Sequence, residues 1–508
     1  MKLNYKRTIL IGFAFFLISA FWQAYDAIVP LILTNHFGMD QLLSGIVMSI
    51  DNVLAIFMLP IFGALSDKVM TRYGKRTPFI VVGTVAAVIA FFALTLIDGY
   101  QLNSVINAGL ADSYQAAAEQ LKIANAALKE AGKTGNEIAI AAAQAQIDAI
   151  NDVILLIREE TLQITLNNLW PIISFLGVLL VTLIAMATFR SPAVALMPDV
   201  TIKPLRSKGN AVINLMGTAG GILVLVLGMI FKTSDNKYMH YAGYVAAVCG
   251  IMILGLVVFI ATVKEKKWAE EMEAETEALG LEDAPVVDNS VKRALTKPEM
   301  RSLLLILASV ALWYVGYNSI TSKYSVYATN ILFFDFNLTL IIAQAAAIIS
   351  YIPVGIIASK IGRRKTILAG VAMLASAFLI GNFITFSTPE IAMYPVFILA
   401  GIGWATINVN SFPMVVELAK GGEVGKYTGY YYTASMAAQI VAPILSGAIY
   451  KLAGHIVGGD DIEGMRHTFF IFGAIFVAMS FVTMFFVKHG DAKPTAQSVV
   501  EDGLGGED

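Results

Sequence analysis

Twelve separate apolar runs, each about as long as a helix needs to cross a bilayer, leave this chain few folds to choose from. The hydrocarbon layer is roughly 30 Å thick and takes about 20 residues of helix. Runs of that length fall near 9–33, 42–65, 79–97, 168–189, 211–231, 241–262, 300–320, 338–358, 366–386, 391–411, 427–450 and 467–487. Of 508 residues 57% are hydrophobic and 14% charged, with a mean hydropathy of +0.71. A soluble core cannot absorb that much apolar surface, so an all-α, multi-pass membrane protein is expected. The start "MKLNYKR" has the charge of a leader, but the apolar run behind it is too long and no small-residue cleavage site follows. The lone Cys249 excludes a disulfide framework and a cysteine-based metal site.

Orientation follows from the basic residues. With the N-terminus inside, the cytoplasmic segments hold 26 of the 35 Lys and Arg, which predicts that both termini are cytoplasmic. Two excursions break the alternation of spans and short loops. Residues 98–167 are Ala-rich with helical spacing, interrupted at "GKTGN", and predict an extracellular helical hairpin between helices three and four. It is a lid, a partner site or passive decoration. Residues 263–299 carry a dense mixture of charges and are expected to be a solvated cytoplasmic linker. The expected organisation is a six-helix bundle from 1–97 and 168–262, the 98–167 insertion, the linker, a second six-helix bundle over 300–487, and a disordered cytoplasmic tail at 488–508.

The halves echo each other. "GALSDKVMTRYGKRT" after helix two returns as "GIIASKIGRRKT" after helix eight. Gly63, Lys68, Gly74 and Lys75 correspond to Gly355, Lys360, Gly362 and Arg363, while Asp67 is replaced by Ser359. A weaker pair joins "ATFRSPAVALMPD" to "ATINVNSFPMVVE", each ending on an acid, Asp199 and Glu417. Duplication of this kind is how transporters with two halves around a midplane site are built.

The first of these loops resembles the G-x-x-x-D-[RK]-x-G-[RK]-[RK] signature of the major facilitator superfamily. Its longer form, followed by Pro-Phe, is similar to the glycoside–pentoside–hexuronide cation symporters and the related sucrose–proton symporters. The resemblance implies a fold of twelve transmembrane helices in two pseudo-symmetric six-helix bundles. It also implies a cytoplasmic gate made of Gly63, Asp67, Lys68, Arg72, Gly74, Lys75, Arg76 and Asp199, with Gly362, Arg363, Arg364 and Glu417 from the second copy. Pro192 and Pro198 keep the spacing of a motif that carries a sugar-binding Asp in melibiose-type members, but the first position here is Arg190. The paired acids that serve sodium in those members fall at Ala55 and Leu59 here, so the resemblance favours a proton over sodium. Arg190 either binds sugar, as an Arg near this point does in plant-type sucrose carriers, or anchors the inner end of helix four.

Two acids lie well inside predicted spans. An ionised Asp at the centre of a lipid-embedded helix costs roughly 2.5–3.5 kcal/mol on insertion scales. Asp26 sits about eight residues before the outer end of helix one and Asp51 about nine after the outer start of helix two, which at 1.5 Å per residue places both at similar depth. Desolvation and mutual repulsion at one depth favour a shared proton. Both are candidates for proton coupling, against a reading in which Asp51 is tied neutrally to Asn52. Candidates for a polar, aromatic binding wall are Trp22, Gln23, Tyr25 and Asn52 in the first half. In the second they are Trp313, Tyr317, Asn318, Gln344, Trp404, Asn408 and Gln439. Amides and carboxylates suit sugar hydroxyls, and an aromatic face suits a sugar ring. Lys323, close to the outer end of helix seven, is expected to snorkel.

The expected function is a secondary active importer of a glycoside or small oligosaccharide, driven by proton symport through alternating access and needing no cofactor. The alternatives are an exporter or carrier of another polar solute, and a transporter-like sensor or scaffold acting through the insertion. An enzyme is not expected: no GxSxG, HExxH, P-loop or metal-ligand cluster stands in a plausible context. Partners are expected to be a small-molecule substrate and lipid, without nucleic acid, around a monomer in the plasma membrane.

Overall fold

The computed structural model describes residues 3–134, 136–202, 205–278, 295–416, 418 and 424–490. Among these the chain is helical, and its one β-bridge, Thr71 to Gly74, closes a tight loop. The first half contains α1 (Tyr5–Leu31), α2 (Gln41–Lys68), α3 (Thr77–Asn107), α6 (Trp170–Asp199), α7 (Arg206–Ile230) and α8 (Ala242–Thr262). Between α3 and α6 lie α4 (Leu110–Thr134) and α5 (Glu137–Asn167), packed on each other as a hairpin. A separate helix, α9 (Glu265–Ala278), follows the first half. The second half contains α10 (Lys297–Thr321), the short α11 (Tyr324–Tyr327), α12 (Phe336–Ile361), α13 (Arg363–Gly381), α14 (Met393–Val416), α15 (Val424–Val457) and α16 (Asp461–Phe485).

Among the described residues twelve helices are long and apolar enough to span a membrane, a set that on length and composition takes in α5 and leaves out α12, where only the shorter stretch Phe336–Tyr351 is apolar. Charge separates these two. The interior of α5 carries Asp148, Asp152, Arg158, Glu159 and Glu160, whereas α12 meets its first charged side chain at Lys360. A lipid-facing helix does not tolerate the first pattern. The twelfth span is therefore α12, and α5 belongs with α4.

The halves repeat one packing scheme. In the first, α1 packs on α7, α3 on α6 and α8, and α2 on α6; in the second, α10 packs on α15, α13 on α14 and α16, and α12 on α14. The halves meet through α2 with α15 and α7 with α12, which are equivalent pairs under the same duplication. Small residues let α2 and α15 touch backbone to backbone. A Cβ on Gly45 would lie 2.2 Å from the Pro443 carbonyl oxygen, and one on Gly447 would lie 2.3 Å from that of Gln41.

Contact is concentrated at the end that bears the hairpin. Of the eight buried residues of α2, six lie between Gln41 and Ser49, and only Ala55 and Ser66 follow. Every remaining position from Ile50 to Lys68 is half-buried or exposed, so the halves part toward the Thr71–Gly74 loop. Among the described residues, the hydrogen bonds and ion pairs that join the halves follow the same rule. Lys451 meets Asp40 at 2.7 Å, Asn330 donates to Asn35 at 2.9 Å and Ser234 donates to Asp335 at 2.8 Å. Burial works against ionisation of Asp40, but the Leu43 amide and the Lys451 ammonium outweigh it and hold the carboxyl below its usual range.

Lys323 corrects an expectation here. Instead of snorkelling, it is fully buried, and its Nζ donates to the Gln41 carbonyl at 3.1 Å and to Ser44 Oγ at 2.9 Å. The end of α10 faces the seam between the halves and not lipid, so a partner replaces the water that snorkelling would seek.

The charged stretch after α8 is also more than a solvated connector. In α9, Trp268 and Glu265 are buried, Arg7 lies 5.4 Å over the Trp268 ring, and Arg7 pairs with Glu271. Residues 279–294 of the linker and 491–508 of the tail lie outside the described residues.

Candidate functional site

Between the halves lies a cavity of about 190 Å³ lined by Trp22, Asp26, Met48, Asp51, Asn52, Arg190, Asn318, Thr321, Ser322, Gln439 and Pro443. Five helices supply it: α1, α2 and α6 from the first half, α10 and α15 from the second. Two carboxylates and one guanidinium therefore share a small polar space far from either helix end. Arg190 is near enough to interact electrostatically with both Asp26 and Asp51, and its guanidinium carbon lies 5.5 Å from the centre of the Trp22 ring. Asn52 Nδ2 donates to Asp51 Oδ1 at 2.8 Å. A buried charge persists only when paired or hydrogen-bonded: Asp51 has the Asn52 amide, Arg190 feels both carboxylates, and the Asp26 side chain is accessible from the cavity.

The second half contributes amides. Asn318 Nδ2 donates to the Tyr314 carbonyl at 2.8 Å and Gln439 Nε2 to that of Ser435 at 3.2 Å, bonds to their own helices that hold both side chains beside the cavity. Deeper in the seam, Gln344 Nε2 donates to Gln23 Oε1 at 2.6 Å and links the halves directly. Thr321 and Ser322 also reach the cavity. They stand three and four residues after Asn318, the spacing that shares a helix face, and that periodicity was the signal available for them.

Other aromatic candidates fall elsewhere. Trp313 is fully buried in the core and does not line the cavity. Residues four apart differ by about 40° around a helix. On α10, packed against α15 and α16, that turn separates the core-facing Trp313 from Tyr317. Tyr317 stacks on Trp404 with ring centroids 3.7 Å apart and planes 4° from parallel, so each ring covers one face of the other. Tyr25 is fully buried between Phe21 and Trp22. Asn408 is half-buried on α14 and does not line the cavity.

At the parted end, Arg76 organises the loop after α2. Its Nε donates to Asp199 at 2.7 Å, and its terminal nitrogens reach Asp67, Ser66 Oγ and, at 3.4 Å, the Gly63 carbonyl. Burial works against the guanidinium charge, but Asp199 and Asp67 outweigh it and raise its pKa. Lys68 and Arg72 are exposed, with Arg72 lying over the Tyr73 ring, and Lys75 is half-buried. In the second copy, Gly362 takes a φ of 94° between α12 and α13, and Arg364 donates to the Phe485 carbonyl. Arg363 is half-buried, and Glu417 lies outside the described residues. Glu265 was not foreseen. Its carboxylate accepts the backbone amides of Lys75, Arg76 and Thr77 at 2.6, 2.8 and 2.7 Å, capping α3 from the start of α9.

A duplicated pair of six-helix bundles, packed at one end and parted at the other around a charged, amide-lined cavity, is the architecture of membrane carriers that bind at the midplane between two halves. Residues 3–120 and 327–503 match the family model of the Major Facilitator Superfamily, more than half of the chain, and the chain belongs to that superfamily. It is a transporter and not an enzyme. Over 109 residues, 22% of each chain, it is 28% identical to the MFS-type transporter ppzB of Metarhizium rileyi (strain RCEF 4871), so the match spans about a fifth of that relative's length. Its fold is similar to the inward open conformation of the xylose transporter XylE from E. coli, with a TM-score of 0.58, 12% identity and coverage of 98% of this chain and 99% of that one. It is also similar to the nucleoside transporter NupG, with a TM-score of 0.52, 13% identity and coverage of 95% and 100%.

Proposed function

We propose that this chain imports a glycoside or small oligosaccharide by proton symport, in the manner of the glycoside–pentoside–hexuronide and sucrose–proton branch. The observation that carries the reading is the shared cavity of Asp26, Asp51 and Arg190, walled by Trp22 and by the amides Asn52, Asn318 and Gln439. Two carboxylates facing one guanidinium leave one negative charge to neutralise, and one proton does so. The side chains around them offer the donors, acceptors and ring face that a polyhydroxylated solute needs. Ala55 and Leu59 stand where a sodium site would need acids, which supports the proton as coupling ion. In this reading the termini and the parted end face the cytoplasm of a plasma-membrane protein, the hairpin lies outside, and a monomer carries out the cycle.

A second reading is a carrier for an anionic polar solute, favoured by Arg190 in the cavity wall. Uptake into proteoliposomes separates the two. With an acid-outside gradient, the first reading expects accumulation of a glycoside, dissipated by a protonophore and indifferent to sodium. Accumulation of sugar acids or other anions alone, with no neutral glycoside taken up, supports the second and overturns the first.

A further inference from the structure

The α4–α5 hairpin touches both halves of the carrier at once. It grows from the first half, yet Arg158 of α5 donates to Asp460 at 2.6 Å and to Asp461 across the seam, and to the Met39 carbonyl at 2.9 Å on its own side. Asp460 caps α16, and Asp461 also accepts the backbone amide of Gln41 at the start of α2. One guanidinium thus spans the junction of α2, α5 and α16. A second contact is apolar. Phe333 of the second half packs against the hairpin's own core, which includes Leu121 and Ile147. It does so from a left-handed backbone conformation with φ of 56°, an uncommon and costly one for an aromatic residue.

These two contacts lie at different heights of the hairpin, Arg158 near its base and Phe333 closer to its tip. A decorative insertion needs neither. We propose that the hairpin is a clamp that holds the halves together at the end where they meet, and that it must release the second half before the cavity can open there. Opening at that end is a step of the transport cycle proposed above, and the clamp rests on that reading only to this extent. The ion pair suits the task. Arg158 is 11% exposed in its side chain and Asp461 4%, so losing either partner strands a charge away from water and biases the seam strongly.

The test reads distance and not transport. Spin labels replace Asn103, exposed near the end of α3, and Phe383, exposed just beyond α13, in a Cys249→Ser background in lipid nanodiscs without substrate. Arg158→Ala and Phe333→Asn, the latter keeping a residue that tolerates the left-handed conformation, are each expected to add a longer-distance population. The ratio of open to closed forms should rise roughly tenfold or more, the size that marks a lost two-state bias. Arg158→Lys, which keeps the charge between Asp460 and Asp461, is expected to move the distribution less than Arg158→Ala. Should Arg158→Ala fail to fold, Phe333→Asn carries the test alone. An unchanged distance distribution in the folded variants overturns the clamp and leaves the hairpin a passive attachment. A parent protein that moves no sugar would sink the sugar reading without altering this readout.

Discussion

Glu265 Oε2 accepts both the backbone amide of Thr77, at 2.7 Å, and its hydroxyl, at 2.6 Å, from a helix nearly two hundred residues further along the chain. The N-terminus of α3 presents unpaired N–H groups and a partial positive charge, which a carboxylate satisfies. With Glu265 buried, those bonds are made out of water and fix α9 against the first half. Replacement by Ala should lower stability by about 2 kcal/mol, the scale of hydrogen bonds to a charged group. Glu265→Gln should lose less. Thermal unfolding of the two variants in one detergent measures the difference, and equal melting points would contradict it.

Gly74 makes room for that carboxylate. Its φ is 115°, and a Cβ there would fall 2.2 Å from the Glu265 carboxyl carbon. Gly74→Ala should therefore destabilise both through the backbone and through the clash. In the Glu265→Ala background the clash disappears and only the backbone cost remains. The two substitutions together should cost less than their separate effects added, and simple additivity would refute the shared contact.

Lys237, between α7 and α8, gives a pH signature. Burial, with Arg158 nearby, pushes its ammonium down to about 7, against the opposing pull of Asp460 and Asp461. Its Nζ lies 4.4 Å from the Tyr114 ring centre on the hairpin. An unfolded lysine holds its proton to about pH 10.4. Between about 7 and 10 the unfolded chain therefore binds a proton that the folded chain has released, and stability rises with pH across that window. Lys237→Met should flatten the rise. Melting temperature followed across the window decides it, and an identical slope in the variant would rule Lys237 out as its source.

Arg190 over Trp22 predicts more than a charge effect. Lysine keeps the positive charge but not the planar face that lies against the indole. Trp22→Leu removes the contact and should cost solute binding about 0.5–2 kcal/mol, the range of a cation–π contact. Arg190→Lys, whose ammonium still attracts the ring, should cost less, and the double variant little more than Trp22→Leu alone. Calorimetric titration with the transported solute would show this, and full additivity would mean that the two side chains act separately.

The spans and the charged centre were open to sequence reasoning because each rests on one strong constraint. Apolar length marks a helix that crosses lipid, and an acid inside such a helix marks the interior of a bundle. Counting 1.5 Å per residue from the ends of two helices placed Asp26 and Asp51 at one depth, and both line the cavity. What stayed hidden depends on docking between distant segments. Lys323 has the spacing of a snorkelling residue until α2 is known to lie against it. Trp313 and Tyr317 share a face by period, and only the position of α16 turns one inward. Glu265 sits in a charge-rich stretch where nothing marks it apart from its neighbours. Arg190 stayed ambiguous because a basic residue near a helix end fits an anchor as well as a binding group.

The most direct measurement is proton movement evoked by solute, in proteoliposomes under weak external buffering with a pH-sensitive dye outside. A glycoside is expected to alkalinise the outside with the parent protein and to fail to do so with Asp51→Asn, while binding of the solute to the variant survives. Solute entry at the parent rate without any proton movement would contradict this, as would unimpaired proton movement in the Asp51→Asn variant.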